Sequence, residues 1–154
     1  MAVAAGSLVV LTPTASSATS DSFINWNSRM CLEIENSSTE NGAHAQQWDC
    51  KGQPGADWEW EYVGPGQQFF IKNVHSGKCL EVENGSQANG ATVQQWTCNP
   101  QARGMLWIKS YGGDWYVRNY GSGKVLEVEN SSTRNGARVQ QWDKSDTAPG
   151  QRWY

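Results

Sequence analysis

The sequence predicts an all-β fold made of one unit written three times. The stretch Cys31-Leu-Glu-Ile-Glu-Asn36, followed by Gln46-Gln-Trp-Asp-Cys50, returns as Cys79-Leu-Glu-Val-Glu-Asn84 with Gln94-Gln-Trp-Thr-Cys98. It returns again as Val125-Leu-Glu-Val-Glu-Asn130 with Gln140-Gln-Trp-Asp-Lys144. The offsets, 48 and then 46 residues, are those of a repeat architecture. Apolar and polar residues alternate in both halves of the unit, and no segment carries a helical period, so the halves read as strands.

In chain order, residues 2–11 are apolar and 12–20 are small and rich in hydroxyls. Residues 1–20 are expected to be a secretory signal peptide truncated at its front, since no Lys or Arg precedes the apolar run. Ala18 is the expected last residue removed. Ten apolar residues are too few to span a bilayer, so no membrane span is expected. Residues 21–154 are expected to form a single domain of three repeats, about 21–64, 65–112 and 113–154. Each repeat opens on an aligned pair, Asn25 and Ser28, Asn73 and Ser76, Asn119 and Ser122. Its two strands flank an Asn-Gly turn signal at 41–42, 89–90 and 135–136, residues that tolerate positive φ. A tryptophan follows in each unit, at Trp60, Trp107 and Trp153.

The cysteines pair by their pattern of loss. Cys31 to Cys50 and Cys79 to Cys98 are each 19 positions, and repeat three has Val125 and Lys144 at the two matching places. Partners in a disulfide should disappear together, so the bonds Cys31–Cys50 and Cys79–Cys98 are expected. They imply an oxidising compartment and hence a secreted protein. A four-cysteine metal site lacks any Cys-x-x-Cys pair. If the disulfide joins directly opposed residues, Glu33 faces Trp48 and Glu35 faces Gln46, with the same register in the other copies. Leu32 and Ile34 then point to the core. The other face gathers an indole, a carboxylate and a carboxamide in every repeat.

That set suits a sugar. A pyranose packs its C–H face on an aromatic ring, while a carboxylate accepts hydroxyl protons and an amide both gives and accepts. The competing reading puts Trp48, Trp96 and Trp142 in the core. Two glutamates on the same face argue against it, because unpaired buried carboxylates are costly.

The motif Cys-Leu-Glu-(Ile/Val) … Asn-Gly … Gln-Gln-Trp-x-Cys with a later Trp, three times over, resembles the ricin B-type β-trefoil lectins across about 21–154. The resemblance implies a β-trefoil of twelve strands with pseudo-threefold symmetry. It implies a shared core filled by Trp60, Trp107 and Trp153, and sugar sites that need neither metal nor cofactor. Carried over by position, the binding acid is Glu33, Glu81 or Glu127 and the stacking aromatic Trp48, Trp96 or Trp142. The polar partners are Gln46, Gln94 or Gln140 and Asn36, Asn84 or Asn130. The chain departs from the family in using Glu where Asp is usual. The family often has Asn-Gln before the core Trp; here the pairs are Asp57-Trp58, Gly104-Met105 and Gly150-Gln151, and only Asp57 keeps a polar group in the place of the Asn. Repeat one is therefore expected to be the fullest site. The middle glutamines Gln47, Gln95 and Gln141 should point inward, where they must find hydrogen bonds.

Other chemistries fit poorly. Glu33 with Glu35 could be a glycosidase pair, but hydrolysis needs two acids tuned apart, and this pair recurs in three equivalent settings. Calcium at the paired carboxylates matches no known loop spacing. His44 and His75 are not repeated. Asn36-Ser-Ser, Asn84-Gly-Ser and Asn130-Ser-Ser fit a glycosylation sequon. A net charge of −3, with 12 scattered Lys and Arg, disfavours nucleic acid. Nine tryptophans in 154 residues are more than one core of this size uses. The expected function is a secreted, non-catalytic carbohydrate-binding protein with up to three sites for a glycan or polysaccharide. The alternative is a protein-binding trefoil, inhibitor-like or a subunit of a larger secreted or toxin assembly, partnered by a separate secreted chain.

Overall fold

The computed structural model describes residues 20–109 and 115–154; the leader-like residues 1–19 lie outside the described residues. The described residues form ten strands and short 3-10 turns, with no α-helix among them. The strands are β1 Cys31–Ile34, β2 Ala45–Trp48, β3 Trp58–Gly64, β4 Gln68–Asn73 and β5 Cys79–Val82. They continue as β6 Val93–Trp96, β7 Trp107–Ile108, β8 Arg118–Asn119, β9 Val125–Val128 and β10 Val139–Trp142. Isolated bridges from Ile24 to Cys31 and from Asn25 to Trp153 fill the two remaining places of a twelve-strand β-trefoil.

Three antiparallel hairpins, β1–β2, β5–β6 and β9–β10, repeat one register. Cys31 faces Trp48 and Glu33 faces Gln46; Glu81 faces Gln94 and Glu127 faces Gln140 in the other copies. The sequence-based register is thus off by two residues. Cys50 lies two positions beyond the end of β2, and its disulfide to Cys31 reaches past the last strand pair, with Cα atoms 5.2 Å apart. Cys79–Cys98 does the same at 5.1 Å. A shift of two leaves every side chain on its expected face, whereas a shift of one would have exchanged core and surface. It also releases Glu35, Glu83 and Glu129 from the strand pairing. They enter 3-10 turns whose next residue, Asn36, Asn84 or Asn130, has φ near 55°. Asparagine accepts that left-handed backbone more readily than most residues.

The inner face is apolar as the alternation predicts. Leu32, Ile34, Leu80, Val82, Leu126 and Val128 are buried around the pseudo-threefold axis with Ala45, Val93 and Val139. Beneath them lie Trp58, Trp107 and Trp153, whose indole N–H groups donate to the carbonyls of Leu32, Leu80 and Leu126 at 3.0, 2.9 and 3.1 Å. The core tryptophan of repeat one is therefore Trp58 and not Trp60. Trp60 is only half-buried, its ring packed between Phe23 and Phe69 at 5.4 and 5.7 Å. Just before each core Trp the chain passes so close to the first hairpin that only glycine fits. A Cβ on Gly104 would sit 2.9 Å from Val82 O and from Gly85 Cα.

The aligned Asn, Ser and Gln residues weld the repeats together. Asn25, Asn73 and Asn119 each accept backbone N–H bonds of their own turn and donate to the preceding repeat, at Gly150 O, Gly55 O and Gly104 O. The inward glutamines do the same on a larger scale. Gln95 accepts from the Ser76 hydroxyl at 2.7 Å and donates to Ser38 O and Glu40 O at 2.8 and 2.9 Å. Gln47 links Ser28 to Ser132 O and Arg134 O, and Gln141 links Ser122 to Ser86 O and Ala88 O. Each buried amide thus uses its oxygen within its own repeat and its nitrogen on the loop of the preceding one. The joint closes into a ring, since repeat three precedes repeat one.

Candidate functional site

On the outer face of each hairpin, the period-2 alternation that buries leucine brings glutamate, glutamine and tryptophan together. Trp48, Trp96 and Trp142 are 37%, 42% and 41% exposed, far too open for core residues. They show solvent a broad apolar surface beside polar groups. Below them the carboxylates of Glu33, Glu81 and Glu127 are nearly covered, at 5%, 8% and 7%. The carboxylates are held by charge-assisted bonds from the facing glutamines. Gln46 donates to Glu33 at 3.0 Å, Gln94 to Glu81 at 2.8 Å and Gln140 to Glu127 at 2.9 Å. The left-handed turn then lifts Asn36 and Asn84 to the rim.

The three copies differ at the second carboxylate oxygen. In repeat one, Gln53 donates to it and also to Asp49 O. In repeat three, Gln151 donates to it at 2.6 Å and to Asp143 O at 2.9 Å. Met105 stands in repeat two where Gln151 stands in repeat three, two residues before the core Trp, and a thioether cannot donate. Among the described residues nothing donates to the second oxygen of Glu81. Burial consequently pushes the Glu81 carboxyl above the ordinary glutamate range; the Gln94 bond partly offsets this, and the Glu83 charge adds to it. Repeat three carries a further restraint, because Arg138 donates to Gln140 Oε1 at 3.1 Å and pairs with Glu129 at 3.0 Å.

Two grooves follow this chemistry. Repeat one has a groove of about 260 Å³ between Glu33, Asn36, Gln46, Trp48, Lys51 and Gln53. Repeat two has one of about 700 Å³ that starts at Glu81, Asn84, Gln94 and Trp96 and runs along Cys98 and Asn99 to Arg103. Asp57 is not among the lining residues of the first groove; its carbonyl serves Val74 N–H, and Gln53, missed in the sequence, takes the polar place. The signal that could have found Gln53 is the small Ala56 at the position of Gln151, which leaves the acid open to a residue from the loop. Among the described residues no group of three or more His, Cys, Asp or Glu is placed to hold a metal, and no helix is long and apolar enough to cross a membrane.

Each site also borrows from its neighbour. The Asn-Gly turn of one repeat backs the tryptophan of the next. A Cβ on Gly42 would lie 3.6 Å from the Trp96 ring, one on Gly90 3.5 Å from Trp142, and one on Gly136 3.6 Å from Trp48. Asn41 pairs with Thr97, Asn89 with Asp143 and Asn135 with Asp49, on the residue that follows each tryptophan.

A threefold β-trefoil with this outer face is lectin-like. The ricin-type beta-trefoil lectin domain-like family matches residues 14–96, 57–142 and 103–154, and the chain belongs to that family. No curated protein matches it in sequence. Among solved structures it is similar to the designed threefold symmetric protein ThreeFoil, at 34% identity and a TM-score of 0.80, over 86% of this chain and 94% of that one. It is similar to 1,3Gal43A, an exo-beta-1,3-galactanase from Clostridium thermocellum, at 29% identity and a TM-score of 0.81, over 93% of this chain but only 30% of the enzyme. It also resembles the hemolytic lectin CEL-III, at 26% identity and a TM-score of 0.67, over 85% of this chain and 28% of the lectin.

Proposed function

We propose that the chain is a secreted, non-catalytic carbohydrate-binding protein with up to three sugar sites, one per repeat, on a single domain of residues 21–154. The observation that carries this is the threefold recurrence of a half-exposed indole above a glutamate already held by a glutamine. The indole offers an apolar platform, and the carboxylate and amide offer hydroxyl-binding groups fixed in advance, which lowers the entropy of capture. In each site Glu33, Glu81 or Glu127 accepts sugar hydroxyls, with Gln46, Gln94 or Gln140 as amide partner. Trp48, Trp96 or Trp142 stacks on the ring, and Asn36, Asn84 or Asn130 closes the rim. The recurrence of one Glu–Gln–Trp set in all three repeats favours binding over hydrolysis, which uses one site with two acids tuned apart. Two disulfides agree with export. Up to three sites on one chain would gain on a polysaccharide by multivalency.

A glycan array, followed by calorimetric titration with galactose, xylose and mannose and their oligomers, tests the reading. β-1,3-galactan belongs in the panel because of the similarity to a module of the galactanase. Sugar binding that persists unchanged in the triple variant Trp48→Ala, Trp96→Ala, Trp142→Ala would refute the assignment. The second reading, a protein-binding trefoil, draws on one observation. Trp26, Trp115 and Tyr154 are half-exposed and lie within 6.2 Å of one another, Tyr154 edge to face with both tryptophans and the two indoles tilted, with Arg29 over Trp26. Those residue types dominate protein interfaces. A protein partner captured from culture supernatant, with a blank glycan array, is the result that would favour it.

A further inference from the structure

The three sites are built alike but do not offer the same hydrogen-bonding capacity. In repeat three both oxygens of Glu127 and the amide oxygen of Gln140 already accept bonds from this chain. In repeat one each oxygen of Glu33 accepts one bond, from Gln46 and Gln53, while among the described residues nothing donates to the amide oxygen of Gln46. In repeat two only one oxygen of Glu81 is taken, and among the described residues nothing donates to the amide oxygen of Gln94. Glu81 and Gln94 line the larger of the two grooves, about 700 Å³ against about 260 Å³ in repeat one.

We infer that repeat two is the principal site and that it takes an oligosaccharide rather than a single sugar. The inference rests on the carbohydrate-binding reading above and adds which site leads and what it selects. The first sugar ring stacks on Trp96 and places two neighbouring hydroxyls on Glu81, one on the free oxygen. A second ring lies along Asn99 and Ala102 towards Arg103, a run of wall that lines no part of the repeat-one groove. Met105 is the specificity-determining position. It lies on the groove without donating, and so leaves the second oxygen of Glu81 without the bond that Gln151 gives to Glu127. Asn41 and Gly42 of repeat one steady this site from behind, Asn41 holding Thr97 and Gly42 backing the Trp96 ring.

The test isolates each site in the full chain. Trp48→Ala with Trp142→Ala leaves repeat two; Trp96→Ala with Trp142→Ala leaves repeat one; Trp48→Ala with Trp96→Ala leaves repeat three. Each variant is titrated with galactose, xylose and mannose and with β-1,3-galactobiose, xylobiose and mannobiose. The repeat-two variant should keep the wild-type disaccharide affinity and bind the best disaccharide roughly tenfold more tightly than its monosaccharide, the step worth about 1.4 kcal/mol. The other two should show little gain from the second ring. Met105→Gln should supply the missing donor and remove most of that advantage. Gln151→Met, in the variant that leaves repeat three, should raise its affinity, and this arm stands even if Met105→Gln does not fold. Wild type that binds sugar while losing nothing in Trp96→Ala, or equal disaccharide gains at all three sites, would overturn the inference and leave the lectin reading intact. Wild type that binds no sugar at all overturns both.

Discussion

Replacing Gln95 by leucine tests the idea that buried amides join the repeats. The side chain is fully buried and makes three hydrogen bonds, accepting from Ser76 and donating to the carbonyls of Ser38 and Glu40 in the preceding repeat. Leucine is of similar volume, so the substitution changes polarity more than packing. It strands one hydroxyl and two carbonyls at about 1 kcal/mol each, with some relief because water reaches part of the loop, giving a loss of about 2–3 kcal/mol. For a domain of this size that is roughly a 10 °C fall in melting temperature. The assay is urea denaturation followed by tryptophan fluorescence, with the exposed Gln87→Ala as a control expected to stay within about 0.5 kcal/mol. Because loop 38–42 backs Trp96, the folded variant should also show altered Trp96 emission. Gln47→Leu and Gln141→Leu should cost the same, since their bonds are the same. A loss under about 0.5 kcal/mol for Gln95→Leu would show that water satisfies the loop carbonyls and that the amides are not the joints.

Reduction of either disulfide, or paired Cys→Ser replacement, should cost about 3 kcal/mol for a loop of this length; denaturation with and without reductant measures it. Gly104→Ala should destabilise by about 1–3 kcal/mol, because its Cβ meets backbone atoms that cannot yield, and thermal melting reads this directly. Glu81 gives a pH signature. Its folded pKa is raised, so the protonated carboxyl is favoured in the native state and stability falls as pH rises from the unfolded glutamate value through the folded one. Denaturation between about pH 4 and pH 7 should show this slope in the wild type and a reduced slope in Glu81→Gln.

Much of the fold was legible because its information is local and repeated. Period-2 alternation placed Leu32 and Ile34 inside and Glu33 and Trp48 outside in every copy. The joint loss of Cys at Val125 and Lys144 gave the two disulfides. The register came out two residues off because a disulfide need not join directly opposed residues; here it reaches past the end of β2. Trp58 and Trp60 stand eight and ten positions after Cys50, on either side of the nine that separate Cys98 from Trp107, so spacing along the chain does not tell which of the two is the core residue. Both point to the same side of β3, and only packing showed that Trp58 reaches Leu32 O. Asp57 looked like the surviving polar ligand by counting back from Trp60, and it fails for the same reason.

The sequence by itself determined the hairpin, its inner and outer faces and the threefold recurrence, since neighbours along a strand decide those. Only the tertiary structure decided how the sites differ. Gln53 and Gln151 reach their glutamates from non-equivalent positions, 20 and 24 residues away, and Met105 reaches no carboxylate at all. The loop of one repeat backs the site of the next through bonds spanning 53 to 87 residues. Such contacts depend on how three hairpins close round one axis, and that closure is a property of the packed core, where no short stretch of sequence records it.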